Sequence, residues 1–142
     1  MSTGPALRQL HSHRSIHEGA YTEARDLTNV VDQLFTEHRE EDCLQTVELL
    51  IEHWEERIIA HADAEDEGFY QELLKKHKNK QDQIYMLMRD HELFRIIIGD
   101  LKKELEETKK VTKQMIYQFH SLLVINHIHH KSEEEQLFLD DV

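Results

Sequence analysis

Apolar residues recur along this chain at alternating steps of three and four, a spacing that puts them on one face of an α-helix. Four such lines, here called seams, can be traced. Seam one runs through Leu10, His13, His17, Ala20, Ala24, Leu27, Val31, Leu34 and His38. Seam two runs through Leu44, Val47, Ile51, Trp54, Ile58, His61, Glu65 and Gly68. Seam three runs through Ile84, Leu87, His91, Phe94, Ile98, Leu101 and Leu105. Seam four runs through Met115, Phe119, Leu122, Asn126, His129 and Glu133, then Gln136 or Leu137.

Short polar stretches separate the seams, around residues 37–42, 77–82 and 106–110. Short connections make consecutive helices antiparallel neighbours. The pattern therefore predicts one all-α domain over residues 1–142, an up-down-up-down antiparallel four-helix bundle. The basic run at residues 75–80 is interpreted as a helix end and loop, because cations suit the negative end of a helix dipole.

Charge and composition narrow the classes of function. The net charge of −12 over 142 residues disfavours general binding to nucleic acid or to an anionic membrane surface. The sequence shows no long apolar run and no signal-peptide pattern, so we expect a cytoplasmic protein without a membrane partner. The single cysteine, Cys43, lies in an acidic turn with little to activate it, which disfavours a catalytic thiol.

Histidine is unusually frequent, with 12 residues spread over the chain. Five lie on seams near mid-bundle, namely His13, His17, His61, His91 and His129. His38 is also on a seam, but the rise per residue puts it roughly 37 Å from His13, too far to share a site. The remaining six fall off the seams and are expected to be solvated or at the rim: His11, His53, His77, His120, His127 and His130.

One segment occurs twice. Residues 61–70 and 129–138 both begin with a histidine, carry a glutamate four residues later, continue with two more acidic residues and end in a large apolar pair. On a helix each copy projects its imidazole and carboxylate from one face. A carboxylate on an apolar seam is costly unless it is paired or bound to metal. The alternative, that Glu65 and Glu133 are solvated edge residues, is weakened because each follows a seam histidine.

These residues resemble the pattern of the hemerythrin-like (HHE cation-binding) family. That pattern has a histidine on helix one, His-x3-Glu on helix two, a histidine on helix three and His-x3-Glu on helix four. The matching residues, which the resemblance implies to be the metal ligands, are His13, His61, Glu65, His91, His129 and Glu133. In that family four helices hold two non-haem iron ions, joined by an oxo or hydroxo bridge and by the two carboxylates.

Two departures separate the chain from the invertebrate oxygen carriers of the family. Those carriers have a further histidine one turn after the histidine of helix three, where this chain has Arg95. Their last carboxylate also follows its histidine at five residues rather than four. The departures favour likeness to bacterial stress-response and cluster-repair relatives over simple oxygen carriage.

Imidazole and carboxylate donors suit iron, manganese or zinc. The Glu-x-x-His spacing of ferritin-like di-iron bundles does not occur, which argues against that chemistry. Four imidazoles, two bridging carboxylates and an oxygen bridge would leave two positions open on two octahedral ions. If His17, one turn after His13, also binds, one position stays open; otherwise His17 is a nearby or core-edge residue.

The pattern favours a di-iron protein that binds or senses O₂ or NO, or handles iron in oxidative or nitrosative stress. Its partner would be a small diatomic ligand. The alternative is a di-iron enzyme for iron–sulfur cluster repair, NO reduction or peroxide decomposition, which would use the same ligands. A metal-free helical interaction module is a third reading.

Overall fold

Four helices account for nearly all of residues 10–138, the part of the chain that the computed structural model describes; side chains are described for residues 13–137. Helix α1 is Leu10–Thr36, α2 spans residues 40–76, α3 is Gln81–Thr108, and α4 spans residues 113–138. A short 3₁₀ turn, Lys78–Lys80, precedes α3, and no strand occurs between residues 10 and 138. The predicted all-α class is confirmed, and the helices end at the predicted polar breaks.

The connections have local causes. His38 and Lys109 take left-handed backbone conformations, with φ of 60° and 55°, and so turn the chain after α1 and α3. The amide of Lys109 donates to the Leu105 carbonyl at 2.7 Å, which closes the last turn of α3. The Thr112 hydroxyl accepts from the amide of Met115 at 3.2 Å and caps α4.

Helix α2 is not regular. Two π-helical turns, Trp54–Ile59 and Glu65–Phe69, interrupt its α-helical parts. Helix α4 is α-helical over Lys113–Glu133 and ends in a third π turn, Glu134–Phe138. Each glutamate of the repeated segment therefore lies where an α-helical part gives way to a π turn. Single π turns inside helices occur frequently at functional sites.

Each helix has its most extensive contacts with two others. Helix α1 packs on α2 and α4, and α3 packs on α4 and α2. This arrangement is compatible with a helical bundle. Within the described residues, no helix has both the length and the apolar character that crossing a bilayer requires.

The apolar core has two parts with a polar layer between them. The larger cluster includes Ala24, Val31, Trp54, Ile58, Phe94, Leu101, Phe119 and Leu123. The smaller includes Phe69, Tyr70, Leu73, Ile84, Leu87 and Leu137. On α2, α3 and α4 the seam histidines and glutamates lie in sequence between members of the two clusters, so they occupy the level where the apolar core is interrupted.

Burial follows the seams closely. All seven residues of seam three are buried, and seam four is buried from Met115 to Glu133 and again at Leu137. The end of seam one departs from the pattern, because His38 is exposed in the turn after α1. Leu10 and His11 lie outside the described side chains.

The prediction for His53 is wrong, because its side chain is buried. Its Nε2 atom donates to the Ala20 carbonyl at 2.8 Å, and its Nδ1 atom lies 3.2 Å from Glu23 Oε2. The reason is that His53, although off seam two, lies against α1 at Ala20 and Glu23, so the buried face of α2 extends beyond the seam.

Candidate metal centre

The polar layer brings together the five seam histidines and both glutamates of the repeat. Helix α1 contributes two of these side chains, α2 two, α3 one and α4 two. Four of them, His13, Glu65, His129 and Glu133, are no more than 1% exposed. Such burial of so many titratable groups requires that they satisfy one another or bind a cation. The structure thus brings together all six ligands predicted from the sequence, and adds His17 to them.

A first group consists of three histidines and one glutamate. Single donor atoms of His13, His17, His61 and Glu65 all lie within 4.8 Å of one another. Glu65 Oε2 is 2.6 Å from His13 Nε2, 3.6 Å from His61 Nε2 and 3.8 Å from His17 Nε2. Spacing of this kind could hold one metal ion.

A second group shares the same glutamate. Donor atoms of Glu65, His91 and His129 also lie within 4.8 Å of one another. The Nε2 atom of His91 is 3.3 Å from Glu65 Oε1 and 3.1 Å from His129 Nε2. Each oxygen of Glu65 therefore faces a different group, which is how a carboxylate that bridges two ions is arranged.

Glu133 lies between the two groups from the opposite helix. Its Oε1 atom is 3.1 Å from His13 Nε2 and 3.6 Å from His17 Nδ1. Its Oε2 atom is 4.0 Å from His129 Nε2. Like Glu65, it presents one oxygen to each set of histidines.

The pKa values of the two carboxyl groups are shifted in opposite directions although both groups are buried. Burial favours the neutral acid, but the imidazoles of His13, His61 and His91 hold the pKa of Glu65 well below its usual range. Burial, reinforced by the negative charge of Glu65, raises the pKa of Glu133 well above its usual range. Glu133 therefore holds a proton more tightly than Glu65 does, and cations would favour ionisation of both.

Two aspartates hold the rings of the second group. The Nδ1 atom of His91 lies 2.8 Å from Asp66 Oδ1, and that of His129 lies 2.9 Å from Asp90 Oδ2. Because a carboxylate accepts, both Nδ1 atoms donate and both Nε2 atoms face the cluster. This is the usual support for histidines that bind a metal through Nε2.

The charges of His91 and His129 are consistent with a hydrogen bond between their Nε2 atoms. Burial opposes the charged form of His91, yet the hydrogen bond to Asp66 and the contact with Glu65 raise its pKa to about 9. Burial lowers the pKa of His129, in spite of its hydrogen bond to Asp90. A charged His91 can then donate from Nε2 to neutral His129 across 3.1 Å. A metal cation would take the place of that proton.

Arg95, the residue that departs from the oxygen-carrier pattern, supports the cluster from outside. Its Nη2 atom donates to Asp66 Oδ2 at 2.6 Å and to Asp63 Oδ1 at 2.7 Å. Asp66 in turn holds His91. Arg95 therefore fixes an aspartate that orients a candidate ligand.

Tyr70 contacts both a carboxyl group and an imidazole of the cluster, those of Glu133 and His91. Its hydroxyl donates to Glu133 Oε2. Its ring stacks on His91, with centroids 5.5 Å apart and planes 5° apart. Burial, followed by the charge of Glu133, raises the pKa of Tyr70 well above its usual range, so the hydroxyl stays a donor.

His130 belongs to the surroundings of the cluster, which the sequence pattern did not indicate. Its ring stacks on His17, with centroids 3.9 Å apart and planes 17° apart. Burial, then repulsion from His129, lowers the pKa of His130 to about 2. Burial likewise lowers the pKa of His17, and repulsion from His130 adds to this. Both rings are neutral at physiological pH, the form that binds metals.

The residues present fit a metal site. Two buried atoms inside the cluster that could bind a metal have no hydrogen-bond partner, namely Nε2 of His61 and Oε1 of Glu133. A metal site without its ion has this character, because its metal-binding atoms are buried, close together and without hydrogen-bond partners. The buried clusters could therefore hold metal ions, and the donor types suit iron, manganese or zinc equally.

Sequence reasoning missed the supporting residues rather than the centre. Asp66 and Asp90 lie beside seam residues in sequence, but each holds a histidine of the next helix, so no local pattern reveals the pairing. Asp66 did carry one signal, because an acid directly follows the glutamate in both copies of the repeat. His130 was missed because it flanks seam four.

Comparison with known proteins adds no family to this geometry: no family model, no curated protein and no solved structure matches the chain.

Proposed function

We propose that this chain is a hemerythrin-like protein, an up-down-up-down four-helix bundle with two non-haem iron ions, that binds or senses O₂ or NO. The observation that carries the proposal is the sharing of Glu65 between two donor groups. A carboxylate common to two groups, with a second carboxylate that also faces both, favours a pair of adjacent ions over one.

The ligand set follows from the groups. His13, His61 and Glu65 would hold one ion, and His91, His129 and Glu65 the other, with Glu133 as a second bridge. Two adjacent iron ions would supply a redox-active centre with open positions for a small ligand. His17 lies as close to Glu65 and Glu133 as a direct ligand of the first ion would need to be, which favours the reading in which one position stays open.

The protein residues prepare this centre in two ways. Asp66 and Asp90 fix the rings of His91 and His129 with Nε2 inward, and Arg95 fixes Asp66. Preorganised rings lose little freedom on binding, which raises metal affinity.

The space beside the centre supports a small ligand. It has a volume of about 20 Å³ and is lined on its apolar side by Ile58, Ala62 and Phe94. Such a space holds about one water-sized molecule. A ligand of two or three atoms matches it, and a large organic substrate does not.

The test is a metal analysis of purified protein with an optical spectrum, recorded after reduction and again after exposure to air and to NO. We expect about two iron ions per chain and absorption changes with both gases. Glu65→Gln should lose most iron from both positions, whereas His61→Ala should lose it mainly from one. The matched control is His127→Ala, because this histidine is exposed and off the cluster.

Three results would contradict the proposal. They are wild-type protein without bound iron under anaerobic iron loading, equal iron content in Glu65→Gln and His127→Ala, or a spectrum that neither gas changes. Preference for zinc or manganese in the same assay would retain the site but overturn the iron assignment.

A further inference from the structure

Asn126 is a buried polar side chain whose hydrogen-bonding groups find no protein partner. It lies on α4 three residues before His129 and is 1% exposed. Neither Nδ2 nor Oδ1 has a hydrogen-bond partner among the described residues. A buried amide in this state is destabilising, and native proteins rarely retain one without a reason.

Packing does not provide the reason. The seam positions before it on α4 are Met115, Phe119 and Leu122, all fully buried and apolar. A leucine at position 126 has the same number of side-chain heavy atoms and the same branching, and it would continue that row. An asparagine instead places donor and acceptor groups where the row reaches the metal centre.

The amide borders the small space beside the centre. Asn126 lines the same volume of about 20 Å³ as His17, His61, Glu65, His91 and His129. The rest of that wall is largely apolar, and a space of this size holds a single small molecule. Because neither polar atom of Asn126 has a partner among the described residues, a molecule in this space could satisfy the amide.

We propose that Asn126 determines ligand specificity, by hydrogen-bonding a small polar or anionic ligand bound beside the two metal ions. The proposal rests on the proposed function. An amide N–H stabilises a ligand atom that accepts a hydrogen bond, and does nothing for an apolar molecule of equal size. Asn126 would thus favour ligands that carry or gain negative charge, and in the absence of such a ligand it destabilises the protein.

The experiment compares wild-type protein with Asn126→Leu and Asn126→Ser, using azide as the probe. Iron content is measured first, then azide affinity by optical titration, then thermal unfolding of each protein without metal. Asn126→Leu should keep the wild-type iron content, because the amide is not among the proposed ligands. Its azide affinity should fall about tenfold, the loss of one hydrogen bond to a charged group.

The metal-free readout is independent of the iron chemistry. Asn126→Leu should melt at a higher temperature than wild type, because an unsatisfied amide is replaced by a side chain that suits the row. Asn126→Ser keeps a donor and should keep azide affinity within about threefold of wild type.

The proposal is overturned if Asn126→Leu binds azide as tightly as wild type. It is also overturned if that variant melts lower without metal or does not fold, since the amide would then have a structural partner. Wild-type protein that takes up no iron would instead refute the proposed function, a result that the iron analysis reveals before azide is added.

Discussion

The hydroxyl of Tyr70 is a hydrogen-bond donor that reaches the carboxylate pair from the phenol ring. It donates to Glu133, whose pKa is raised by burial, so Tyr70 satisfies an oxygen that water does not reach. Tyr70 and the aspartates that hold His91 and His129 share one property. Each hydrogen-bonds a residue of another helix, so its role is evident only from the packed structure.

Tyr70→Phe tests that hydrogen bond. The substitution keeps the ring that stacks on His91 but leaves a buried carboxyl oxygen without its donor. We expect the free energy of unfolding to fall by about 1–3 kcal/mol, measured by urea denaturation of metal-free protein. Tyr117→Phe is the control, because Tyr117 is 54% exposed and should change little. Equal stability of the two variants would show that the hydroxyl contributes nothing.

Cys43 provides a pH-dependent prediction away from the centre. Its thiol is 2% exposed and donates to the Val31 carbonyl at 3.7 Å; burial, then the charge of Asp32, raises its pKa. An acid whose pKa is raised by folding stabilises the folded state below its unfolded pKa, about 8.5, and loses that contribution as pH rises through the folded value.

The unfolding midpoint in urea should therefore fall between pH 8 and pH 10 more in wild type than in Cys43→Ala. Alkylation of the native thiol at pH 8 should be at least about tenfold slower than in the unfolded chain. A thiol that reacts equally fast in both states would mean that Cys43 is accessible, contrary to its burial.

At the scale of the helix, hydrophobic periodicity predicted the four helices and most of their buried residues. Seam three matches the buried residues of α3 throughout, because a regular helix between two neighbours buries one narrow face. It failed at His53, which lies off seam two but contacts Ala20 and Glu23 of α1, and it did not predict the π turns. A π turn takes more residues per circuit than an α turn, so a search for steps of three and four does not reveal it.

Gly19 and Gly99 give a prediction for helix stability. Both lie on exposed positions inside α1 and α3, and a Cβ added to either would meet nothing within 4 Å. Replacing each by alanine should raise the free energy of unfolding by about 0.5–1 kcal/mol, because alanine loses less backbone freedom on folding. Thermal and urea unfolding would check this, and the two effects should add, since the sites share no partner. A loss of stability would show that these helices need glycine there.

For the molecule as a whole, the centre joins all four helices. A ligand that binds only the folded state stabilises it by mass action, and a centre with donors from every helix does not exist in the unfolded chain. Folding and metal binding should therefore be coupled, and the buried Glu65 and Glu133 should make the metal-free protein the less stable form.

Removal of metal with a chelator should lower the melting temperature by about 10 °C, a shift that corresponds to roughly 3 kcal/mol in a chain of this size. Calorimetry with and without chelator measures it. Glu65→Gln should show less than about a third of this shift, because it binds little metal. The same shift in Glu65→Gln as in wild type would mean that the chelator acts elsewhere.

The sequence predicted which residue types meet in the polar layer and their order along the chain, because helical spacing fixes which residues share a face. It did not supply the distances that make Glu65 common to two groups. Those distances depend on how far each helix is rotated and shifted against its neighbours, which the packing of both apolar clusters determines.

The π turns after Glu65 and Glu133 have a consequence for protein design. A π turn contains more residues per turn than an α turn. The side chains that follow it therefore point in different directions from those of an ideal α-helix. A designer who grafts His-x3-Glu onto an idealised bundle, and continues the helix without this offset, would rotate Tyr70 away from Glu133. Transplanting this centre therefore means copying the irregular turn along with the ligands.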